Sequence, residues 1–89
     1  MRVVWDPQKA KLNREKHGVR FSDAEVVLYD PYGLTREEEV RGERRWVTVG
    51  VDAVGDVLVV VYSYRENTIR LISARRATPS ERRSYEKGV

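Results

Sequence analysis

Cysteine is absent from the sequence, and histidine occurs once, at His17. The first absence excludes disulfides and thiolate metal ligation; the second excludes a metal site built from histidines. No Gly-rich phosphate loop, nucleophile elbow or metal-ligand spacing is present either, so neither a metal nor another cofactor is expected. No apolar run approaches the ~18 residues of a membrane helix, and the N-terminus lacks the apolar stretch of a signal peptide. A soluble, cytoplasmic protein with no membrane attachment is therefore expected. At 89 residues there is room for one small core, so residues 1–89 read as a single domain.

Charge, by contrast, is plentiful, and its distribution says more than the net value of +3. Residues 1–20 carry 6 basic and 2 acidic side chains, residues 21–64 carry 4 and 9, and residues 65–89 carry 7 and 3. Two basic ends around an acidic middle suggest a polyanion site formed where the ends meet in space. A solvated, highly charged surface is the alternative.

Local signals outline the elements. Arg2 to Trp5 is a short first strand. Asp6-Pro7 then opens a helix to about His17, with the Asp6 carboxylate as cap, Pro7 at the first position and Gly18 as a left-handed terminator. Ser22 and Glu25 are spaced as a capping box for a second helix, with Phe21 and Val26 as its hydrophobic staple and Ala24, Val27 and Leu28 as its buried side. Asp30-Pro31 ends it, and Pro31-Tyr32-Gly33 is a turn. Strand patterns follow at Leu34 to about Glu39, Arg45 to Val51, Val57 to Tyr64 and Thr68 to Ala74. The third of these is apolar on both faces, so it should be central in the sheet. Gly55-Asp56 and Glu66-Asn67 are tight links that favour antiparallel hairpins. Finally Thr78-Pro79-Ser80-Glu81 is a capping box with proline at the first helical position. The expectation is an α+β fold of order β-α-α-β-β-β-β-α: an antiparallel four- to five-stranded sheet packed by two N-terminal helices and a C-terminal helix.

The last strand and the helix after it carry Arg70, Arg75, Arg76, Arg82 and Arg83 within a short span. Guanidinium groups this close repel one another, and RNA is the anionic partner that suits them. RNA is cut without a metal when a base deprotonates a 2′-hydroxyl, that oxygen attacks its own phosphodiester, and an acid protonates the departing 5′-oxygen. Proton transfer contributes about 10²–10⁴-fold, and cations must stabilise the phosphorane. Arginine suits the second task because its planar fork binds two phosphate oxygens at once. The candidates are Lys9, Lys16, His17, Glu43, Arg45, Arg70, Arg75, Glu81 and Tyr85. His17 has the one unperturbed pKa near neutrality, or it simply caps its helix. Lys9, Asn13, Lys16 and His17 share a helix face. Arg45 and Arg70 interrupt apolar strands, either to line an anion site or to pair with Glu43 or Glu81; a single bulge decides whether they share a face. Tyr85, one turn after Glu81, serves either the core or a stacked base. Trp5, Trp46, Tyr62 and Tyr64 read as core.

These residues together resemble the BrnT toxins of bacterial type II toxin–antitoxin systems. The matching stretches are Trp5-Asp6-Pro7-Gln8-Lys9-Ala10 with Asn13, Lys16-His17-Gly18-Val19, Phe21 and Ala24; then Glu43-Arg44-Arg45-Trp46 and Gly50; then Ile69-Arg70-Leu71-Ile72-Ser73-Ala74-Arg75 with Ala77-Thr78, Glu81-Arg82 and Tyr85. Of the doubled arginines, Arg45 and Arg75 fit the pattern better than Arg44 and Arg76. The resemblance implies a RelE-like fold and a metal-independent endoribonuclease that halts growth by degrading RNA. It implies a BrnA-like antitoxin partner with a ribbon-helix-helix DNA-binding region, in a hetero-oligomer with the toxin. Carried onto this chain, it puts Lys16, Arg45, Arg70 and Arg75 on phosphate and His17 or Glu43 on proton transfer, with Lys9, Arg76, Arg82 and Tyr85 as further RNA contacts. The alternative is a non-catalytic nucleic-acid-binding or antitoxin-interaction module acting in operon repression.

Overall fold

The computed structural model describes residues 1–88. Its elements run β1 (Arg2–Val4), α1 (Pro7–His17), α2 (Phe21–Val27), β2 (Leu34–Val40), β3 (Glu43–Val51), β4 (Val57–Arg65), β5 (Thr68–Arg76) and α3 (Pro79–Lys87). The five strands form one sheet in the order β1-β5-β4-β3-β2, with β4 in the middle as its two apolar faces require. From β2 to β5 the chain meanders through antiparallel hairpins. Arg41-Gly42 and Glu66-Asn67 form two of the turns, all four residues at positive φ, which matches the twist of the flanking strands.

The sheet is mixed, not purely antiparallel. β1 lies beside β5 in parallel, Val3 opposite Ile69. The short links that dictate hairpins join only β2 to β5; β1 leads into two helices instead, so nothing local fixes its direction.

One sheet face carries α1 and α2, the other α3. On the first, Leu58, Val60, Tyr62, Ile69, Leu71 and Ala74 pack against Val19, Phe21, Ala24 and Val27. On the second, Val47, Val49, Val57 and Val59 pack against Ala77 and Tyr85. Trp5 meets Phe21 edge to face at 6.1 Å, and Trp46 is half-buried against the first core. Tyr64 is more open than expected, at 44% exposure.

The caps of α1 and α3 follow the sequence. Asp6 accepts from the Gln8 amide at 2.8 Å and Gly18 is left-handed at φ 70°. Thr78 and Glu81 exchange both capping-box bonds. The second helix does not follow it. α2 begins at Phe21 with Arg20 at its cap position and no side-chain cap bond, so Ser22 lies inside the first turn. Val26 is 40% exposed, which removes the staple. Burial of Phe21, Ala24 and Val27 along one side of α2 sets its start, and that packing outweighs a local capping preference of about 1 kcal/mol.

α1 is fastened differently, having almost no apolar side. Asn13, 6% exposed, accepts from the Ala74 amide at 3.0 Å and donates to the Ala74 carbonyl at 2.9 Å and the Val19 carbonyl at 3.0 Å. Both backbone groups of Ala74 thus point away from β4 to the outer edge of β5, beyond the reach of the three-residue β1. The Asn13 amide takes the place of a neighbouring strand there.

Asn13→Ala leaves a buried N–H and two carbonyls without these partners, at about 1–3 kcal/mol apiece before water replaces some of them. Urea unfolding should show a loss of about 2–4 kcal/mol; a loss below about 0.5 kcal/mol would mean the amide does not hold α1.

Candidate active site

Which face each arginine occupies follows from the strand register. Arg70 stands opposite Ser63, and Arg75 opposite Val59. Ser63 and Val59 point to the same side of β4, the side that carries α3. Five is not a spacing that usually allows this: in an unbroken ladder Arg70 and Arg75, five residues apart, would point to opposite faces. The register shifts between Val61, opposite Ser73, and Tyr62, opposite Leu71, so Ile72 is an extra residue in β5. This β-bulge reverses the alternation once and brings both arginines to the α3 face. Arg45 joins them, since it lies two residues before Val47, which pairs with Val61. Glu43 is two residues further along the same side.

α3 covers only part of this face. Val47, Val49, Val57 and Val59 are buried beneath it. Beyond them Arg45, Ser63, Ser73 and Arg70 form an open half, with Ser63 and Ser73 half-buried and Arg70 exposed. Sequence reasoning missed the two serines; the signal was available, since each is a small hydroxyl in an otherwise apolar strand. On β2, Glu38 stands opposite Arg45 and lies 3.9 Å from Arg36.

The arginines differ in what they already hold. Arg75 donates from both terminal nitrogens to the Glu81 carboxylate, at 2.8 and 3.0 Å, and from one of them to the Arg76 carbonyl at 3.3 Å. That hydrogen-bonded guanidinium, with the Thr78 amide and hydroxyl, holds the Glu81 carboxyl down at about 2 against partial burial. Arg45 donates through Nε to Glu43 at 3.1 Å. Arg70 has no ion-pair partner among the described residues. Its planar fork is free for an anion.

The remaining predicted residues lie elsewhere. Lys9 and Lys16 are exposed and His17 half-buried on α1. α1 borders the edge of β5 and packs Ala10 into the α2-side core, so the two basic ends meet at one strand but approach it from different faces. Arg76, next to Arg75 in a regular stretch of strand, points the other way; it pairs with Leu58 and lies 3.8 Å from Asp56. Arg82 is exposed on α3. Tyr85 belongs to the core, not to a stacking surface. It is 6% exposed and donates its hydroxyl to Asp30 Oδ2 at 2.5 Å. The same carboxylate accepts from the amides of Val51 and Tyr32, both at 2.9 Å. Burial pushes the Asp30 carboxyl up, but these three bonds outweigh it and the net shift is down. The hydrogen bond to Asp30, then burial, pushes the Tyr85 phenol up to about 12.

Three comparisons bear on these residues. A family profile described as the ribonuclease toxin BrnT of type II toxin–antitoxin systems matches residues 5–81. The crystal structure of the Brucella abortus ribonuclease toxin BrnT is similar in fold, with a TM-score of 0.66 at 23% identity over 88% of this chain and 97% of that one. No curated protein matches.

Two pH effects follow from the buried bonds. Glu81 is depressed in the folded state, so its contribution is present above about 4.5 and lost as pH falls towards about 2. Unfolding free energy measured across that window should fall less steeply in Glu81→Gln than in the parent; equal slopes would contradict the pairing. Tyr85 is raised, so its contribution is present below 10.0 and lost as pH climbs through about 12. Tyr85→Phe should cost about 1.5–3 kcal/mol at neutral pH and flatten the alkaline decline.

Proposed function

Because the chain belongs to the BrnT family of ribonuclease toxins of type II toxin–antitoxin systems, we propose that it is a metal-independent endoribonuclease acting on the open half of the α3 face. The observation that supports this most is the bulge at Ile72, since it aligns Arg70 and Arg75 with Arg45 and Glu43. The reaction is a transesterification inside the RNA. Glu43, oriented by Arg45, takes the proton of a 2′-hydroxyl; the 2′-oxygen bonds to the adjacent phosphorus, and the bond to the 5′-oxygen breaks. The proton that Glu43 has taken passes through solvent at this open face to the departing oxygen, since Lys16 and His17 lie on α1, away from the α3 face. The products are a 2′,3′-cyclic phosphate and a 5′-hydroxyl, so no water and no metal enter the balance.

Arg70 is the principal phosphate ligand, with Arg45 as the second and the Ser63 and Ser73 hydroxyls beneath them. Arg75 has both terminal nitrogens on Glu81 and serves to brace α3 against β5 beside the substrate. Lys9 and Arg82 add peripheral contacts to the strand. Among the described residues no helix is long and apolar enough to cross a membrane, and the reading places the protein in the cytoplasm with its RNA target. A BrnA-like antitoxin with a ribbon-helix-helix region neutralises it in a hetero-oligomer.

Purified protein incubated with RNA in EDTA should yield fragments ending in 2′,3′-cyclic phosphate. Arg70→Ala should lower the cleavage rate about 10²–10³-fold, and Glu43→Gln about 10²–10⁴-fold, with Arg70→Lys in between. Intact RNA under conditions where expression arrests growth would favour the non-catalytic binding module instead, and cleavage abolished by EDTA would remove the metal-independent route.

A further inference from the structure

Away from the arginine face, a groove runs between α1 and the start of α2. Lys11, Arg14 and Arg20 line it above Trp5, Ala10 and Phe21. All three cations are exposed, and none has a carboxylate within 4.0 Å among the described residues. Elsewhere on the molecule five of eleven arginines, Arg36, Arg44, Arg45, Arg75 and Arg76, have an acidic neighbour within 4.0 Å among the described residues. Here the charge is left uncompensated. Between Pro7 and Ser22 the only carboxylate is Glu15, against five lysines and arginines. Burial separates the two aromatic residues beneath: Phe21 is 2% exposed and sealed in the core, whereas Trp5 is half-buried where it lines the groove.

We infer that this groove is a second binding site for single-stranded RNA, which holds the chain beyond the scissile bond. The inference rests on the ribonuclease reading above and extends it. Three unpaired cations suit three successive phosphates, and the half-buried indole of Trp5 in the groove is an aromatic surface on which a base can stack without regard to its identity. Position favours RNA over an acidic polypeptide. α1 is fixed by Asn13 to the outer edge of β5, and β5 carries Arg70 on one side. A strand leaving Arg70 therefore has one edge to round before it meets the groove. The molecule is 31 Å in its longest dimension, and about ten nucleotides at about 3.4 Å each cover that span.

The test uses the triple variant Lys11→Gln, Arg14→Gln, Arg20→Gln in the full chain, with its urea midpoint matched to the parent. The first probe is an RNA of about ten nucleotides made uncleavable by 2′-O-methylation of every ribose, with binding followed against salt. Three lost phosphate contacts should make the log–log slope shallower by about 2. The second probe is a pair of cleavable RNAs, an unmodified strand of the same length and a dinucleotide too short to leave the arginine face; kcat/KM of the dinucleotide should change less than about twofold while that of the longer RNA falls. An unchanged slope overturns the inference. So does an equal loss on both RNA lengths, because the groove would then not be a separate site. A variant that binds RNA normally but loses affinity for polyglutamate overturns it in favour of an acidic polypeptide. Failure of the ribonuclease reading looks different: the parent protein cuts neither RNA, while the salt slope on the uncleavable strand is still measurable.

Discussion

β5 has one residue more than its partner strand needs, and the placement of the basic side chains depends on where that residue sits. Ser73 faces Val61 and Leu71 faces Tyr62, with Ile72 bulged between them. Upstream of the bulge the odd-numbered residues enter the α2-side core, as Ile69 and Leu71 do; downstream Ala74 and Leu58's partner Arg76 take that side. An uninterrupted ladder would keep Arg70 on the α3 face and send Arg75 to the other, or the reverse. The bulge spends one unpaired residue to collect both on the surface where Arg45 already points. Bulges re-aim side chains in this way because a shift of one residue exchanges the faces of everything beyond it.

The helix that follows is tied down so that the collected arginines keep their geometry. Glu81 closes the capping box of α3 and grips Arg75 at the same time. At the far end of α3, Tyr85 reaches Asp30, which also receives the Val51 and Tyr32 amides and so joins the α2–β2 link to the edge of the sheet. Space for that carboxylate is left by Gly50, where an added Cβ would come within 3.0 Å of Asp30 Oδ2 and 3.1 Å of Val27 Cγ1. One helix is thereby fixed at both ends by charged hydrogen bonds, and it shelters half of the sheet face while leaving the other half open.

What could be read from the chain beforehand was what neighbours in sequence determine. Asp6-Pro7, Gly18 and Thr78-Pro79-Ser80-Glu81 act within a few residues of themselves, so α1 and α3 begin where those signals stand. The Ser22–Glu25 signal is equally local, yet burial of Phe21 overrode it. The parallel seat of β1, the bulge at Ile72 and the two hydrogen bonds between Asn13 and Ala74 depend on partners far along the chain. Asn13 and Ala74 are 61 residues apart, Asp30 and Tyr85 55. The candidate site was legible as a set of residue types and not as an arrangement: Arg45 and Arg70 share a face through the regular ladders on either side of β4, and one unpaired residue brings Arg75 to it as well. For the same reason Arg76 and Tyr85 looked like neighbours of the site and are not.

An open sheet face also constrains how such a site works. Two unit charges 4 Å apart interact by about 1 kcal/mol in bulk water and about 4 kcal/mol at the effective dielectric of a protein surface. Arg70 on an uncovered surface is closer to the first case than the second. Its attraction for an anion rises only when something displaces the water around it, and no lid or cleft among the described residues does so here. The ligand itself has to do the covering. A polyanion long enough to lie across Ser63, Ser73 and the half-buried side of Arg45 would exclude solvent as it bound, and each additional contact along it would strengthen the others. Recognition of a chain, not of a single nucleotide, is therefore the demand that this flat arrangement of guanidinium groups makes.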